Sequence, residues 1–122
     1  MTSWIFAHGD SDGICSWAIA LAARPKSHVF FSHPFGLLED LGRVNLGDDI
    51  VICDIAYCQE PLCNIIGRLR ELAKAGSLTY IDHHPLPETI GPSDLPGKVV
   101  HGLGECTSEL AFREFRCRPL IG

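Results

Sequence analysis

No apolar run in this sequence approaches the roughly 20 residues that a membrane-spanning helix needs, so no membrane association is expected. The N-terminus, MTSWIFAHGD, has no basic flank and carries polar residues too early for a secretory signal, so the expectation is a cytoplasmic protein. Positive charge is scarce: 10 Lys and Arg face 15 Asp and Glu, for a formal charge of -5. That balance argues against the broad electrostatic grip by which basic domains hold a nucleic-acid backbone. It does not exclude a phosphate-bearing substrate, because divalent cations on clustered carboxylates would cancel much of the negative charge. There is no CxxC pair among the 6 cysteines, and the spacing of Cys53, Cys58 and Cys63 suits neither a zinc knuckle nor one helical face. In a reducing compartment such residues act as small hydrophobes, and most of them fall in runs that read as strand or helix core. No repeat, linker or low-complexity segment breaks the chain. An apolar fraction of 46% against 20% charged residues is that of a folded protein, so residues 1–122 read as one domain.

What is present is an alternation of strand and helix. Trp4 to Ala7 reads as a first strand, followed by a helix from Gly13 to Ala23 capped by Ser11 or Asp12 and ended by Arg24 and Pro25. His28 to Ser32 is a second strand, Phe35 to Leu41 a short helix or turn, and Ile50 to Cys53 a third strand. From Glu60 to Ala75 the apolar positions Leu62, Ile65, Ile66, Leu69, Leu72 and Ala73 recur at helical steps, and Gly76 closes the segment. Leu78 to Ile81 and Lys98 to His101 read as the last two strands, with a Pro/Gly-rich stretch between them. Thr107 to Phe115 reads as a helix capped by Thr107 or Ser108. The fold class implied is α/β, a three-layer α/β/α sandwich around a mostly parallel five-stranded sheet.

Side chains suited to metal chemistry arrive where these strands run out: His8, Asp10 and Asp12 in FAHGDSDG, Asp54 in IVICDIA, and Asp82, His83 and His84 in LTYIDHHP. Strand ends of one parallel sheet share an edge, which gathers these residues into one cleft. Each alone has an ordinary reading, as a helix cap or a turn residue. Their coincidence favours a metal site, because like charges massed at one edge are destabilising without a counter-ion. Mixed nitrogen and oxygen donors suit manganese, with cobalt or magnesium as the alternatives. Asp54 is placed to bridge two cations, the arrangement used in phosphoester hydrolysis. Of the adjacent His83 and His84, one should ligate and the other face a substrate. His33, before Pro34, is a candidate substrate contact, whereas His28 and His101 read as structural. Gly102 and Gly104 precede Thr107 and Ser108, a loop that either presents N–H groups to a phosphate or is an ordinary capped helix start. The cluster Arg113, Arg116 and Arg118 reads as a solvated helix end.

The succession HGDSDG, ICDIA, IDHHP and CTSEL resembles the motifs of the DHH phosphoesterases, which include RecJ-type single-strand exonucleases, nanoRNases, cyclic dinucleotide phosphodiesterases and type II inorganic pyrophosphatases. The resemblance spans nearly the whole chain and implies a hydrolase with two manganese ions. His8, Asp10 and Asp54 would hold one ion, and Asp12, Asp54 and His83 the other. His84 would contact the scissile phosphate, and Asp82 would orient the histidines. The implied substrate is a nucleotide or short single-stranded nucleic acid, with the nuclease-like branch favoured over the pyrophosphatases. Two departures from the family pattern stand out: no aspartate follows the last helix to complete the second ion, and the C-terminal substrate domain of the family has no counterpart before Gly122. They imply an alternative, a non-catalytic or partly metallated binding or regulatory subunit, in a homo-oligomer or with a partner subunit that completes the site.

Overall fold

The apolar strands expected from the sequence assemble side by side in a computed structural model, which describes residues 2–57 and 62–115. Strands β1 (Ser3–His8), β2 (His28–Ser32), β3 (Asp49–Cys53), β4 (Ser77–Asp82) and β5 (Lys98–His101) form one sheet in the order β2-β1-β3-β4-β5. Every neighbouring pair is parallel. Helices α1 (Ser11–Ala23), α2 (Leu37–Asp40) and α3 (Leu62–Ala75) lie between strands, α4 (Thr107–Phe115) follows β5, and a 3-10 turn (Leu41–Arg43) extends α2. The fold is α/β, as the alternation predicts.

Strand residues alternate between two buried faces, which sorts the core into two halves. Ile5, Ala7, Val51, Cys53 and Ile81 meet Ala20 of α1 and Leu110, Ala111 and Phe115 of α4. On the opposite face Phe6, Ile50, Ile52 and Tyr80 meet Leu37 of α2 and Leu62, Ile65, Leu69 and Leu72 of α3. Complete burial of each of these aliphatic side chains stabilises the fold by roughly 1.5–3 kcal/mol. Layers of helix on both faces of the sheet complete the three-layer arrangement. The start of the long helix at Glu60 lies outside the described residues, as do Cys58 and Cys117.

Two expectations need correction. The cap of α1 is neither Ser11 nor Asp12 but Asp10, whose Oδ1 accepts from the Gly13 N–H at 2.8 Å. Asp10 has the extended backbone that a cap requires, while Ser11 and Asp12 are already helical. The cysteines, free where described, are not mainly core: Cys53 is buried, Cys106 half-buried, and Cys15 and Cys63 exposed on α1 and α3. The SDGICSWAIALAA helix is apolar nearly all round, so composition hides which side faces the sheet.

The chain turns from β1 into α1 so tightly that a Cβ on Gly13 would lie 1.8 Å from the His8 carbonyl oxygen. This close approach sets how far His8, Asp10 and Asp12 project from the sheet. Gly13→Ala is expected to lower stability by about 2 kcal/mol through backbone displacement, measurable as a lower urea midpoint with an unchanged m-value.

Candidate metal centre

The register Ala7↔Cys53 and Cys53↔Ile81 aligns three central strands at one level, so the residues that follow, His8, Asp54 and Asp82, emerge side by side. β1 leads out to β2 on one side and β3 lies on the other, so the strand order reverses at this point, where open parallel sheets place their ligands.

Asp54 is the hub. Its φ of 60° lies in the left-handed region, which Asp tolerates better than most residues. The Asp54 N–H donates to the Ile81 carbonyl at 2.9 Å, which locks this turn to β4. The residue is 2% exposed; Oδ1 accepts from the Thr107 hydroxyl at 2.9 Å, and Oδ2 is buried with no hydrogen-bond partner. Burial pushes its carboxyl up to about 6, partly offset by the Thr107 hydroxyl and reinforced by the neighbouring Asp10 and Asp12. A divalent cation would stabilise a buried carboxylate with an unpartnered oxygen beside the Asp10 and Asp12 carboxylates.

Donor atoms converge around it. Those of His8, Asp10 and Asp54 lie within 4.8 Å of one another, and so do those of Asp54, His83 and His84. His8 Nδ1 is 3.2 Å from Asp10 Oδ2. His83 Nε2 sits 3.4 Å from both Asp12 Oδ2 and Asp54 Oδ1. Burial raises the Asp10 carboxyl, but the Gly13 N–H, proton sharing with Asp54 and the His8 ring outweigh it and leave the group below its ordinary range. The donor set, oxygen-rich with imidazole nitrogens and one buried unpaired oxygen at its centre, fits two divalent cations sharing Asp54.

Asp12 has a further duty. Its Oδ1 accepts from the Ser108 N–H at 2.8 Å and its Oδ2 from the Thr107 N–H at 3.0 Å, so its carboxylate caps α4 from across the fold. Neither Thr107 nor Ser108 caps its own helix, which corrects the sequence expectation: the Thr107 hydroxyl is turned onto Asp54 and the Ser108 hydroxyl onto Cys106 Sγ. The N–H groups considered for a phosphate are occupied by this side chain. Burial raises the Asp12 carboxyl, but the Ser108 and Thr107 N–H groups outweigh it and lower it below its ordinary range.

Behind the histidines, Asp82 is fully buried. Its Oδ1 lies 2.6 Å from His84 Nδ1, and its Oδ2 accepts from the Tyr80 hydroxyl at 2.8 Å. That hydroxyl also lies 3.0 Å from the Ile55 carbonyl. His101 Nε2 donates to the His84 carbonyl at 2.6 Å. Burial depresses the His84 imidazole, but its hydrogen bond to Asp82 and the charges of Asp82, Asp54 and Asp10 outweigh it and raise the group above its ordinary value. The Asp82 contact fixes the ring through Nδ1, leaving Nε2 as the remaining nitrogen.

The structure thus brings together His8, Asp10, Asp12, Asp54, Asp82, His83 and His84. His33 is exposed, its ring packed over Gly36, and among the described residues no polar contact joins it to this cluster. Tyr80, which the sequence does not mark as a site residue, borders the site, as do Thr107, expected only at a helix start, and His101, expected to be structural. Tyr80 carried a legible signal, since alternation in a strand puts it on the same face as Asp82. Arg113 pairs with Glu105, away from the cluster, and Arg116 and Arg118 lie outside the described residues.

No family profile and no curated protein matches the chain. Among solved structures, it is similar to the crystal structure of RecJ in complex with Mn2+ from Thermus thermophilus, with a TM-score of 0.60 and 23% identity. The alignment covers 91% of this chain and 17% of that one, so the chain spans a small share of that protein's length, and the likeness establishes a RecJ-like fold.

Proposed function

We propose that this domain is a divalent-metal-dependent phosphoesterase, with manganese as the preferred ion, that hydrolyses phosphodiester bonds in nucleotides or short single-stranded nucleic acid. The observation that carries the reading is the buried Asp54 carboxylate, one oxygen of it unpartnered, gathered with His8 and Asp10 in one group and with His83 and His84 in another at the switch point of a parallel sheet. The likeness to a manganese-bound RecJ supports the choice of ion. His8, Asp10 and Asp54 would hold one cation, and Asp12, Asp54 and His83 the second. Such ions supply Lewis-acid activation of water and neutralise charge on phosphoryl oxygens.

The chain's own side chains do the rest. Tyr80 and Asp82 hold the His84 ring in one orientation, and the raised affinity of that ring for a proton suits it to donate a hydrogen bond to a phosphoryl or leaving oxygen. Thr107 holds Asp54 Oδ1, which fixes the orientation of the carboxylate. Purified protein is expected to release mononucleotide from a short single-stranded oligomer in the presence of manganese, and His83→Ala to abolish it. Absence of turnover with manganese, cobalt and magnesium alike would overturn the reading.

One observation favours a second reading. Both Asp12 oxygens already serve the start of α4, which weakens the second cation set. A binding or regulatory domain that holds a single cation would show one metal per chain by elemental analysis and no turnover; the enzyme would show two with turnover.

A further inference from the structure

Between α1 and α4 runs an open groove of about 370 Å³, lined by Ile19, Ser108, Glu109, Phe112 and Arg113. Its volume falls in the roughly 300–1,000 Å³ of small-ligand sites, and its lining has their character: apolar surface with a few polar groups. The groove does not include the metal-ligand candidates, yet it begins beside them, because Ser108 lines it while its N–H is bonded to Asp12 Oδ1. Phe112 stands four residues beyond Ser108, about 6 Å along the axis, and helical side chains lean back toward the N-terminus, here toward the cation cluster. Its ring is 55% exposed, an unusual state for a large aromatic on a helix that otherwise buries Leu110, Ala111 and Phe115. The charges lining the groove oppose each other: Glu109 is negative, and the guanidinium of Arg113 is already engaged by Glu105. A phosphate finds no net attraction there, whereas a neutral aromatic ring finds a stacking face in Phe112 and an aliphatic wall in Ile19.

We propose that this groove is a nucleobase subsite: a base adjoining the scissile phosphate stacks on Phe112 against Ile19, next to the Asp12 carboxylate that Ser108 joins to the groove. The inference rests on the phosphoesterase reading for the position of the phosphate. It adds that the substrate is recognised through a base, with little sequence preference, since every base offers a stacking face.

The test compares a dinucleotide with its abasic counterpart, in wild type and Phe112→Ala, under manganese. Loss of the ring is expected to cut the preference for the base-bearing substrate about ten-fold, carried by KM, with Phe112→Trp restoring it. A purely structural role would lower turnover of both substrates alike and leave their ratio unmoved, which would overturn the proposal. A second readout needs no metal and no turnover. Adenosine monophosphate added to isotope-labelled metal-free protein is expected to shift the amide signals of Ile19, Ser108 and Phe112, and shifts confined to other surfaces would overturn the proposal. Protein inactive on all diesters that still shows these shifts would refute the phosphoesterase reading while supporting a base-binding groove. A dimer in solution that buries Phe112 and dissociates in Phe112→Ala would identify the occupant as a second copy and overturn the base assignment.

Discussion

Asp54→Asn is expected to make the metal-free protein more stable above pH 6 while abolishing both metal-induced stabilisation and turnover. Asn keeps the shape, tolerates the left-handed backbone at φ 60° and retains an oxygen for the Thr107 hydroxyl. It replaces the orphaned oxygen with an amide that can donate to Asp10, and it removes one charge from a group of three carboxylates. The folded protein holds the Asp54 proton to about pH 6, against 3.8 for the ordinary carboxyl. Between those values the native state binds more protons than the unfolded one, so stability falls as pH rises through the window, and the whole penalty is present above it. A shift of this size corresponds to on the order of 2 kcal/mol after allowance for the proton shared with Asp10. Relief of it should raise Tm by about 8 °C at pH 7.5, read by calorimetry in the presence of a chelator. With manganese at about a hundred times its dissociation constant, wild type should gain about 2.7 kcal/mol and the variant nothing. Turnover should drop by at least about a thousand-fold, the order expected when a central member of a catalytic unit is removed. A less stable metal-free variant, or a manganese shift that survives the substitution, would show that the Asp54 carboxylate is a structural group rather than the site of a cation.

How much of this was legible in the sequence varies by feature, and the reasons are physical. β5 at Lys98–His101 and α4 at Thr107–Phe115 fall where the residues indicate, because short apolar runs bounded by Gly and Pro, and helical spacing of apolar residues, reflect burial directly. The gathering of His8, Asp54 and His83 was equally legible, since His8 ends its strand, Asp54 and His83 directly follow theirs, and parallel register carries them to one edge. The caps were not. In GDSDG three polar residues compete for one role, and only backbone geometry decides that Asp10 takes it. The cap of α4 comes from Asp12, 95 and 96 residues away in sequence, and no local pattern can announce a contact of that range. The dual use of Thr107, helical backbone with its hydroxyl on Asp54, is invisible for the same reason. His33 follows a strand end like the others, but β2 is an edge strand and the chain turns back at once so that the ring covers Gly36.

Asp12→Ala is expected to destabilise the metal-free protein by about 3 kcal/mol, a change opposite in sign to that of Asp54→Asn although the two carboxylates belong to one cluster. Asp12 satisfies two N–H groups at the start of α4 through charge-assisted bonds and places a negative charge at the positive end of the helix. Removal leaves both donors without an acceptor, and Thr107 is fully buried, so water does not readily replace the carboxylate there. Asp12→Asn keeps one acceptor and should lose about half as much. The pH dependence also reverses. Because the folded state lowers the Asp12 carboxyl, its contribution is complete above the unfolded value near 4 and disappears as pH falls through the folded one. Metal-free wild type therefore carries opposing slopes, a gain from Asp12 and Asp10 as pH rises from the acid range and a loss from Asp54 toward pH 6. Asp12→Ala should weaken the first and keep the second. Urea unfolding across that range gives the slopes, and hydrogen exchange locates the cause: amides of α4 should lose protection while those of α3, on the opposite face, keep it. Preserved protection in α4, or a loss under 1 kcal/mol by the order-of-magnitude scale for an ordinary hydrogen bond, would mean that the cap contributes no more than a solvent-exposed one. The predicted result would instead show that one side chain ties the metal-binding loop to the helix bordering the groove, so that cation site and groove hold a fixed relative position before any ligand arrives.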